Sequence, residues 1–177
     1  MKIESLRINN FRRFYGEHRI KFSIDEKKPF TIIHAENGTG KTNLLNAINW
    51  VLYGSMLEGT RGANEIINTT HILEKKSSAY AEIRLSILDD NNEIINFIRR
   101  KTNKKDSVLK AYQGDEEIPV ADRNIKKNIE ALIPKELSRY FFFHGEGIKN
   151  LTNDADNIKR AVQDIQGITD AIKVLEE

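Results

Sequence analysis

The sequence predicts an α/β fold, with a mixed sheet around one helix and an antiparallel β lobe. An apolar run, residues 30–34, leads into the glycine-rich segment 35–42, and a helical run, residues 43–53, follows directly. Further along, two β-rich segments, residues 79–88 and 93–100, enclose the polar cluster 89–92, which is typical of a hairpin. A strand that enters a glycine turn and then opens a helix is the local unit of such a fold.

Composition limits the function classes. The chain has 177 residues, the size of one ordinary domain, with 39% hydrophobic residues, 31% charged residues and a net charge of +2. That charge is too small to indicate nucleic-acid binding by itself. Cysteine is absent from the sequence, which excludes disulfides and thiolate metal sites. No apolar run approaches the roughly 20 residues of a membrane helix, and the first residues do not resemble a signal peptide. We therefore expect a cytoplasmic protein.

Segment 35–42, Ala-Glu-Asn-Gly-Thr-Gly-Lys-Thr, has the pattern of a phosphate-binding loop. Gly38 and Gly40 allow a tight turn that brings backbone N–H groups close to phosphate oxygens, and the helix dipole favours the anion. Lys41 supplies a charge for the β- and γ-phosphates, and the Thr42 hydroxyl is placed to ligate Mg²⁺. The usual pattern has glycine where this chain has Ala35, so a methyl group is tolerable there only with a negative φ.

The helix after the loop favours nucleotide binding over a merely structural strand-to-helix turn, because a chance glycine turn would not need an amphipathic helix. Five apolar residues fall on one face of this helix: Leu44, Leu45, Ile48, Val51 and Leu52. Three asparagines are expected off that face: Asn43, Asn46 and Asn49.

The chain opens with two strand-like segments, residues 3–9 and an alternating stretch around residues 18–22, joined by the basic and aromatic turn 10–16. The pattern Leu6-x-Ile8-x-Asn10-Phe11-Arg12, followed by the strand and the loop that ends in Lys41-Thr42, resembles the N-terminal ATPase segment of SMC-like and RecF-like proteins of the ABC superfamily.

This resemblance implies an ATP site with Mg²⁺ in the N-terminal half of an ABC-type head, with Lys41 as a catalytic residue. The arginine that follows the phenylalanine in that family commonly reaches the nucleotide phosphates; Arg12 occupies this position and Arg13 is its neighbour. The alternative for both is a solvated turn that holds two cations. The residues implied to contact the nucleotide are Arg12, Arg13, Glu36, Asn37, Gly38, Thr39, Gly40, Lys41, Thr42 and Asn43.

Residues 54–78 are irregular and polar, and the resemblance places this loop near the nucleotide base and DNA. Residues 85–90 superficially mimic the apolar strand with terminal acids that holds Mg²⁺ in phosphate-loop enzymes. Their acids fall in a turn cluster and their apolar residues alternate, so we expect a strand of the antiparallel lobe instead. The densest positive run extends from Arg99 to Lys105, and it serves either DNA contact or solubility.

A short strand at residues 108–112 and a helix from about residue 122 to Pro134 lead to the aromatic run 140–143. ABC ATPases carry a glutamine at this location that contacts Mg²⁺ and the attacking water, and this chain has His144 and Glu146 instead. The Phe-Phe-Phe-x-Gly-Glu form resembles DndD-like ATPases of DNA phosphorothioation and phage defence. The resemblance makes Glu146, or alternatively His144, the substitute for the glutamine, so Glu146 is a predicted metal-binding and catalytic residue.

The last segment, residues 152–177, has apolar residues at 4-3-4-3 spacing, as at the start of a coiled coil, although Gly167 also permits two short helices. We expect residues 1–151 to form the N-terminal half of a head and residues 152–177 to lead towards a coiled-coil arm. The expected partners are the C-terminal half of the head, a second head, and DNA. Without the C-terminal half, we expect no ATP turnover. Two alternatives remain: the ATPase segment of an OLD-type nuclease, and a non-hydrolysing clamp.

Overall fold

The computed structural model describes residues 2–118, with the exception of residues 37, 58 and 90. Six strands form one antiparallel sheet in the order β2-β1-β3-β4-β5-β6. Their bounds are β1 Lys2–Asn9, β2 Glu17–Lys21, β3 Tyr80–Leu88, β4 Ile94–Thr102, β5 Val108–Gln113 and β6 Glu116–Ile118. Two helices, α1 Lys41–Tyr53 and α2 Thr69–Lys75, lie between β2 and β3, and the 3₁₀ turn Lys76–Ser78 follows α2.

The core lies between α1 and one face of the sheet. Alternate residues of the three central strands point to this face, because successive side chains of a strand point to opposite sides. They are fully or almost fully buried: Leu6 and Ile8 of β1, Ile83, Leu85 and Ile87 of β3, and Phe97 of β4. Helix α1 contributes Trp50, whose ring packs against that of Phe11 with the centroids 5.5 Å apart. This packing holds the C-terminal part of α1 beside the β1–β2 connection.

The hairpin between β3 and β4 is confirmed, and so is its antiparallel character. The Asp89 carboxylate accepts hydrogen bonds from the backbone N–H groups of Asn91 and Glu93, so this acid shapes the turn. Strand β3 pairs antiparallel with both of its neighbours. The expectation that residues 85–90 belong to the antiparallel lobe, and do not form a magnesium-binding parallel strand, is thereby supported.

The prediction of a buried strand at residues 30–34 is wrong in this structure. Residues 29–36 form no strand, and the side chains of Phe30 and Ile32 are 84% and 91% exposed. A strand requires a neighbour that accepts and donates its backbone hydrogen bonds. Within the part of the chain that is described, no strand pairs with this segment, and the aromatic run 140–143 lies outside the described residues.

Two elements were not predicted. The loop 54–78 contains α2, and the turn after β5 leads into the short strand β6. None of the described helices is long and apolar enough to cross a membrane.

Candidate functional site

The glycine-rich loop adopts the backbone conformation that its sequence demands. Gly38 and Gly40 have φ angles of +82° and +117°, in the left-handed region that favours glycine. A Cβ atom on Gly40 would lie 3.3 Å from the Phe14 ring, so this glycine also permits a close approach of the β1–β2 turn. Ala35 is not among the residues with positive φ, so its methyl group is compatible with the loop.

Helix α1 begins at Lys41 with Gly40 as its N-cap, and no side chain caps it. The first N–H groups of any helix lack intrahelical acceptors, and here the first turn contains no acidic residue either. The loop therefore presents backbone donors and the positive end of a helix dipole without a built-in anion, which fits a phosphate group.

The Lys41 ammonium group lies back across the loop. It donates hydrogen bonds to the carbonyl oxygens of Ala35, at 2.6 Å, and Glu36, at 2.9 Å. The Thr39 hydroxyl also donates to the Glu36 carbonyl, at 2.8 Å. The ammonium group of Lys41 thus lies next to the loop, where it would bind a phosphate together with the backbone N–H groups. Thr42, the predicted magnesium ligand, is exposed one residue further along.

The turn between β1 and β2 lies against the loop. Arg13 Nη1 donates a hydrogen bond to the Gly38 carbonyl, and Phe14 lies against Gly40. Because these two contacts join residues far apart in the sequence, they make the turn a second wall of the candidate site. Arg13 therefore lies beside the loop, where it bonds to a backbone carbonyl, and its contact with a nucleotide stays a prediction.

Arg12 connects the first turn of α1 to the loop that precedes α2. Its Nε atom donates to Asn43 Oδ1 at 3.0 Å. Its other two nitrogens donate to the carbonyl oxygens of Arg61, at 2.8 Å, Gly62, at 2.8 Å, and Glu65, at 3.3 Å. All three guanidinium nitrogens are thus engaged by protein acceptors, so a direct phosphate contact by Arg12 stays a prediction that would require it to exchange partners.

Two asparagines to which the sequence pattern assigned no role hold this turn in place. Asn10 has a φ of +49°, and its Oδ1 atom accepts from the Gly16 N–H group at 2.9 Å, which closes the turn. Asn68 Nδ2 donates to the Arg12 carbonyl at 2.6 Å, while Asn68 Oδ1 accepts from the His71 N–H group and caps α2. Asparagine is a common N-cap residue, so Asn68, directly before a short helical segment, was the sequence signal for α2.

Asn46 and Asn49, which the pattern places off the apolar face of α1, are buried all the same. This is because the chain after the helix folds back over both of them. Asn46 Oδ1 accepts hydrogen bonds from the Leu57 N–H group and the Thr60 hydroxyl, and Asn49 Nδ2 donates to the Ser55 carbonyl. The polar face of α1 therefore binds the start of the loop between α1 and α2. Arg12 binds the same loop at residues 61–65.

The basic run at the end of β4 does not form one cationic surface. Arg99 points to the core side, where it donates to the Val51 and Leu52 carbonyls at the end of α1. Arg100 points to the other side, forms an ion pair with Glu82 at 3.3 Å, and stacks over the Tyr80 ring at 4.1 Å. Because side chains alternate along a strand, Arg99 and Arg100 lie on opposite faces of the sheet. This weakens the interpretation of the basic run as a DNA-binding surface.

Several predicted site residues lie outside the described residues: Asn37 of the loop, Glu146 and His144 after the aromatic run, and the helical segment 152–177. Among the described residues, no group of three or more acidic, histidine or cysteine side chains could hold a metal ion. Any Mg²⁺ at this site would therefore depend on Thr42, on phosphate oxygens and on residues such as Glu146. That division suits Mg²⁺, which usually keeps several waters and takes only one or two protein ligands.

Sequence comparisons show the family to which the chain belongs. Residues 5–177 match the AAA domain family. The chain is 30% identical over 156 residues to the chromosome partition protein Smc of Myxococcus xanthus, a match that covers 84% of this chain and 11% of that protein. It is 32% identical over 107 residues to the chromosome partition protein Smc of Fusobacterium nucleatum, covering 56% of this chain and 9% of that protein. The chain thus spans about a tenth of the length of these curated relatives.

A structural comparison agrees with the sequence matches. A solved structure from work on ATP-driven dimerization and DNA-stimulated activation of SMC ATPases has a TM-score of 0.67 with this chain. The two are 20% identical, and the match covers 93% of this chain and 99% of that one. At this level of identity the likeness shows a common fold.

Proposed function

Because this chain belongs to the AAA domain family and has the fold of an SMC ATPase head, we propose that it is the ATP-binding N-terminal part of an SMC-like ATPase that acts on DNA. The observation that carries this proposal is the glycine loop at the uncapped start of α1, with Lys41 folded over it. Backbone donors, a helix dipole and one ammonium group in one place are what a triphosphate requires.

Each loop residue has a defined part in binding. The N–H groups of the first turn of α1 hold the β-phosphate, and Lys41 exchanges its two carbonyl partners for oxygens of the β- and γ-phosphates. The Thr42 hydroxyl and Glu146 would hold Mg²⁺, which when bound would neutralise charge on the phosphates. Arg12 and Arg13 close the site from the β1–β2 turn.

Hydrolysis requires more than these residues. Phosphoryl transfer needs metal ligands, a positioned water and charge stabilisation around the γ-phosphate together. We therefore propose that a C-terminal half completes the head, that two heads enclose the nucleotides and engage through them, and that this chain alone binds ATP without turning it over.

The aromatic run 140–143 followed by Gly145 and Glu146 favours a relationship with DndD-like ATPases, which places the protein in cytoplasmic DNA restriction, repair or phage defence. An OLD-type nuclease and a non-hydrolysing clamp are the alternatives. An acidic nuclease module beyond residue 177 would support the nuclease, and absence of turnover in the full-length protein would support the clamp.

Lys41→Ala tests the proposal most directly. Hydrogen bonds to charged groups contribute about 1.5–3 kcal/mol each, so the variant should lose ATP affinity by about 10- to 100-fold or more. Isothermal titration calorimetry with ATP and Mg²⁺ measures this loss, and Lys28→Ala, which removes an exposed lysine outside the loop, is the matched control. Equal ATP affinity in wild type and Lys41→Ala would contradict nucleotide binding at the loop.

Glu146→Gln separates two roles for Glu146. A carboxylate that orients water or Mg²⁺ would be needed for hydrolysis but not for binding, so turnover by the full-length protein should fall while ATP affinity is retained. A carboxylate that only caps a following helix would contribute about 0.3–1 kcal/mol of stability. Unchanged turnover with a lower melting temperature would establish the capping role and exclude Glu146 from the site.

A further inference from the structure

Three arginines that are distant in the sequence lie side by side on adjacent strands. Arg19 of β2 pairs directly with Arg7 of β1, and Arg7 pairs directly with Arg84 of β3. Residues in direct register share one face of a sheet. We refer to Arg19, Arg7 and Arg84 as the arginine row; the same line continues across β4 at Ile98 to Lys110 of β5.

The arginine row lies on the side of the sheet opposite to α1. On β1 and β3 the residues next to the arginines, Leu6, Ile8, Ile83 and Leu85, are fully buried in the core. Arg99, in register with Ile83, bonds to the carbonyls at the end of α1, which identifies the helix-facing side. Because side chains alternate, the row projects from the outer face, where Arg19 is exposed and Arg7 and Arg84 are half-buried.

Like charges in direct register are unfavourable, and the row is only partly neutralised. Glu17 pairs with Arg7 at 3.5 Å. Among the described residues, no carboxylate lies within 4.0 Å of Arg19 or Arg84. The Nε atom of Arg84 is shielded from solvent and has no hydrogen-bond partner within the same part of the chain. Because that atom is shielded, an external anion would contact Arg84 only through the exposed part of its guanidinium group. Three guanidinium groups in direct register, with one carboxylate between them, are an arrangement that an external anion would stabilise.

Two other cations of this face, Arg100 and Lys110, have partners already. Arg100 pairs with Glu82 at 3.3 Å, and Lys110 pairs with Glu117 at 3.0 Å. The pKa of Lys110 is raised, mainly by the hydrogen bond to Glu117. Unpaired positive charge is therefore concentrated at the β2-β1-β3 part of the sheet.

On these grounds we propose that the arginine row binds the sugar-phosphate backbone of duplex DNA; this rests on the proposed DNA-acting function and identifies the surface that would carry it. Neighbouring strands are about 4.8 Å apart, so the row extends over about 10 Å. Along that length, one strand of a duplex presents about three phosphates, at about 3.4 Å of axis each. Guanidinium groups suit this partner because their planar donors match phosphate oxygens.

The composition of the face favours a duplex over other anionic partners. Binding of single strands relies on aromatic side chains on which bases stack. The two register lines that flank the row carry Lys21, Ser5, Ser86 and Asn96 on one side and Glu17, Asn9, Glu82 and Arg100 on the other, with Tyr112 two strands away from the arginines. A membrane surface would require exposed apolar residues beside the cations. The row instead offers a short, straight line of charge without sequence-reading groups.

Binding of a fluorescent duplex of about 30 base pairs, measured by anisotropy between low and physiological salt, tests this assignment in the full-length protein. The logarithm of affinity falls with the logarithm of salt concentration, with a slope of about −0.9 per phosphate neutralised on B-DNA. Arg19→Gln with Arg84→Gln should therefore reduce the slope by about 2 and lower affinity at low salt by at least about 10-fold, irrespective of DNA sequence. The matched control is Lys27→Gln with Lys28→Gln, two exposed cations outside the sheet, which should leave both quantities unchanged.

A second variant should change DNA affinity and its salt dependence in the opposite direction. Glu17→Gln removes the carboxylate that occupies Arg7, so DNA should bind more tightly and with a steeper salt dependence. Because Arg19 is exposed and forms no ion pair among the described residues, Arg19→Gln alone keeps the test valid if the double variant does not fold. For Arg19→Gln, the slope of the logarithm of DNA affinity against the logarithm of salt concentration should fall by about 1.

Failure of this inference is distinguishable from failure of the proposed function. If the arginine variants bind DNA with an unchanged slope, or if Lys104→Gln with Lys105→Gln reduces the slope in their place, the arginine row is not the DNA surface. Binding of the wild type to phosphatidylserine vesicles but not to the duplex would overturn it in favour of a membrane partner. Normal ATP affinity in these variants, with its loss in Lys41→Ala, leaves the proposed function intact in each case.

Discussion

The two flanks of the phosphate loop are both apolar in the sequence, yet they differ in the structure. Downstream, α1 carries Trp50, Val51 and Leu52 into the core. Upstream, residues 29–36 form no strand, and Phe30 and Ile32 are exposed. Downstream, the loop is thus supported by a packed helix. Upstream, none of the described strands pairs with residues 29–36.

The difference follows from where each element finds its hydrogen bonds. A helix satisfies its backbone internally and needs only a surface on which to pack its apolar face. A strand satisfies its backbone through neighbours, and a buried parallel strand needs one on each side. The apolar content of a segment therefore predicts burial only when its partners are within the same chain and in place.

Substitution of one aromatic residue in each flank should show the largest contrast. Trp50→Ala removes a buried ring that packs on Phe11 and should lower the free energy of unfolding by about 3–5 kcal/mol. Phe30→Ala, at a position 84% exposed, should change it by no more than about 0.5 kcal/mol. Urea denaturation followed by circular dichroism measures both. A large loss in Phe30→Ala would mean that the upstream flank is buried in solution and that the two flanks are alike.

Removal of the Asn46 side chain should have the next largest effect. Asn46 Oδ1 holds the Leu57 N–H group and the Thr60 hydroxyl, so Asn46→Ala should lower the free energy of unfolding by about 1–2 kcal/mol. Hydrogen exchange should also become faster at the Leu57 amide. Asn91→Ala, in the exposed β3–β4 turn, is the control for loss of an asparagine. Unchanged protection at Leu57 would show that the loop does not depend on the polar face of α1.

Asn68 tests how the β1–β2 turn supports the downstream flank. Asn68→Ser keeps an N-cap for α2 but loses the donor to the Arg12 carbonyl, whereas Asn68→Ala loses both. Both variants should weaken ATP binding by about 2- to 10-fold, the equivalent of one hydrogen bond. Only Asn68→Ala should also lose about 0.5–2 kcal/mol of stability through the cap. Full ATP affinity in Asn68→Ser would show that the turn is positioned without this contact.

The smallest effect concerns Tyr15, at the far side of the same turn. Its hydroxyl donates to the Glu74 carboxylate at 2.6 Å, and this hydrogen bond raises the pKa of the Tyr15 phenol above its ordinary value. Because the folded pKa is the higher one, the contribution to stability is complete below the unfolded pKa and is lost as pH rises through the folded value. Ultraviolet titration of wild type minus Tyr15→Phe measures the shift, which Glu74→Gln should reduce. An ordinary pKa in wild type would show that the turn is not tied to α2 here.

Local patterns in the sequence were sufficient for much of the fold. Alternation identified β2 and β3, strand-like composition identified β1, β4 and β5, and the acidic and asparagine-rich cluster identified the hairpin, because these features depend on residues close in sequence. Helix α1 and the left-handed glycines of the loop were also predictable, since Gly38 and Gly40 leave few other conformations for that spacing.

Other features depended on residues far apart in the chain. The burial of Asn46 and Asn49 required the chain after α1 to fold back, and the use of Arg99 as a partner for the end of α1 required β4 to pack on that helix. Neither contact has a signal in local composition, so the burial of the two asparagines was not predicted and Arg99 was considered for DNA contact.

By itself, the sequence determined the phosphate loop, the alternation of the strands and the helix that follows the loop, because each is a property of adjacent residues. Only the tertiary structure decided that the densest basic run is divided between two faces of the sheet, and that Arg7, Arg19 and Arg84 stand together. The physical reason is that strand register, set by pairing across the sheet, separates neighbours in sequence and brings distant residues within about 5 Å.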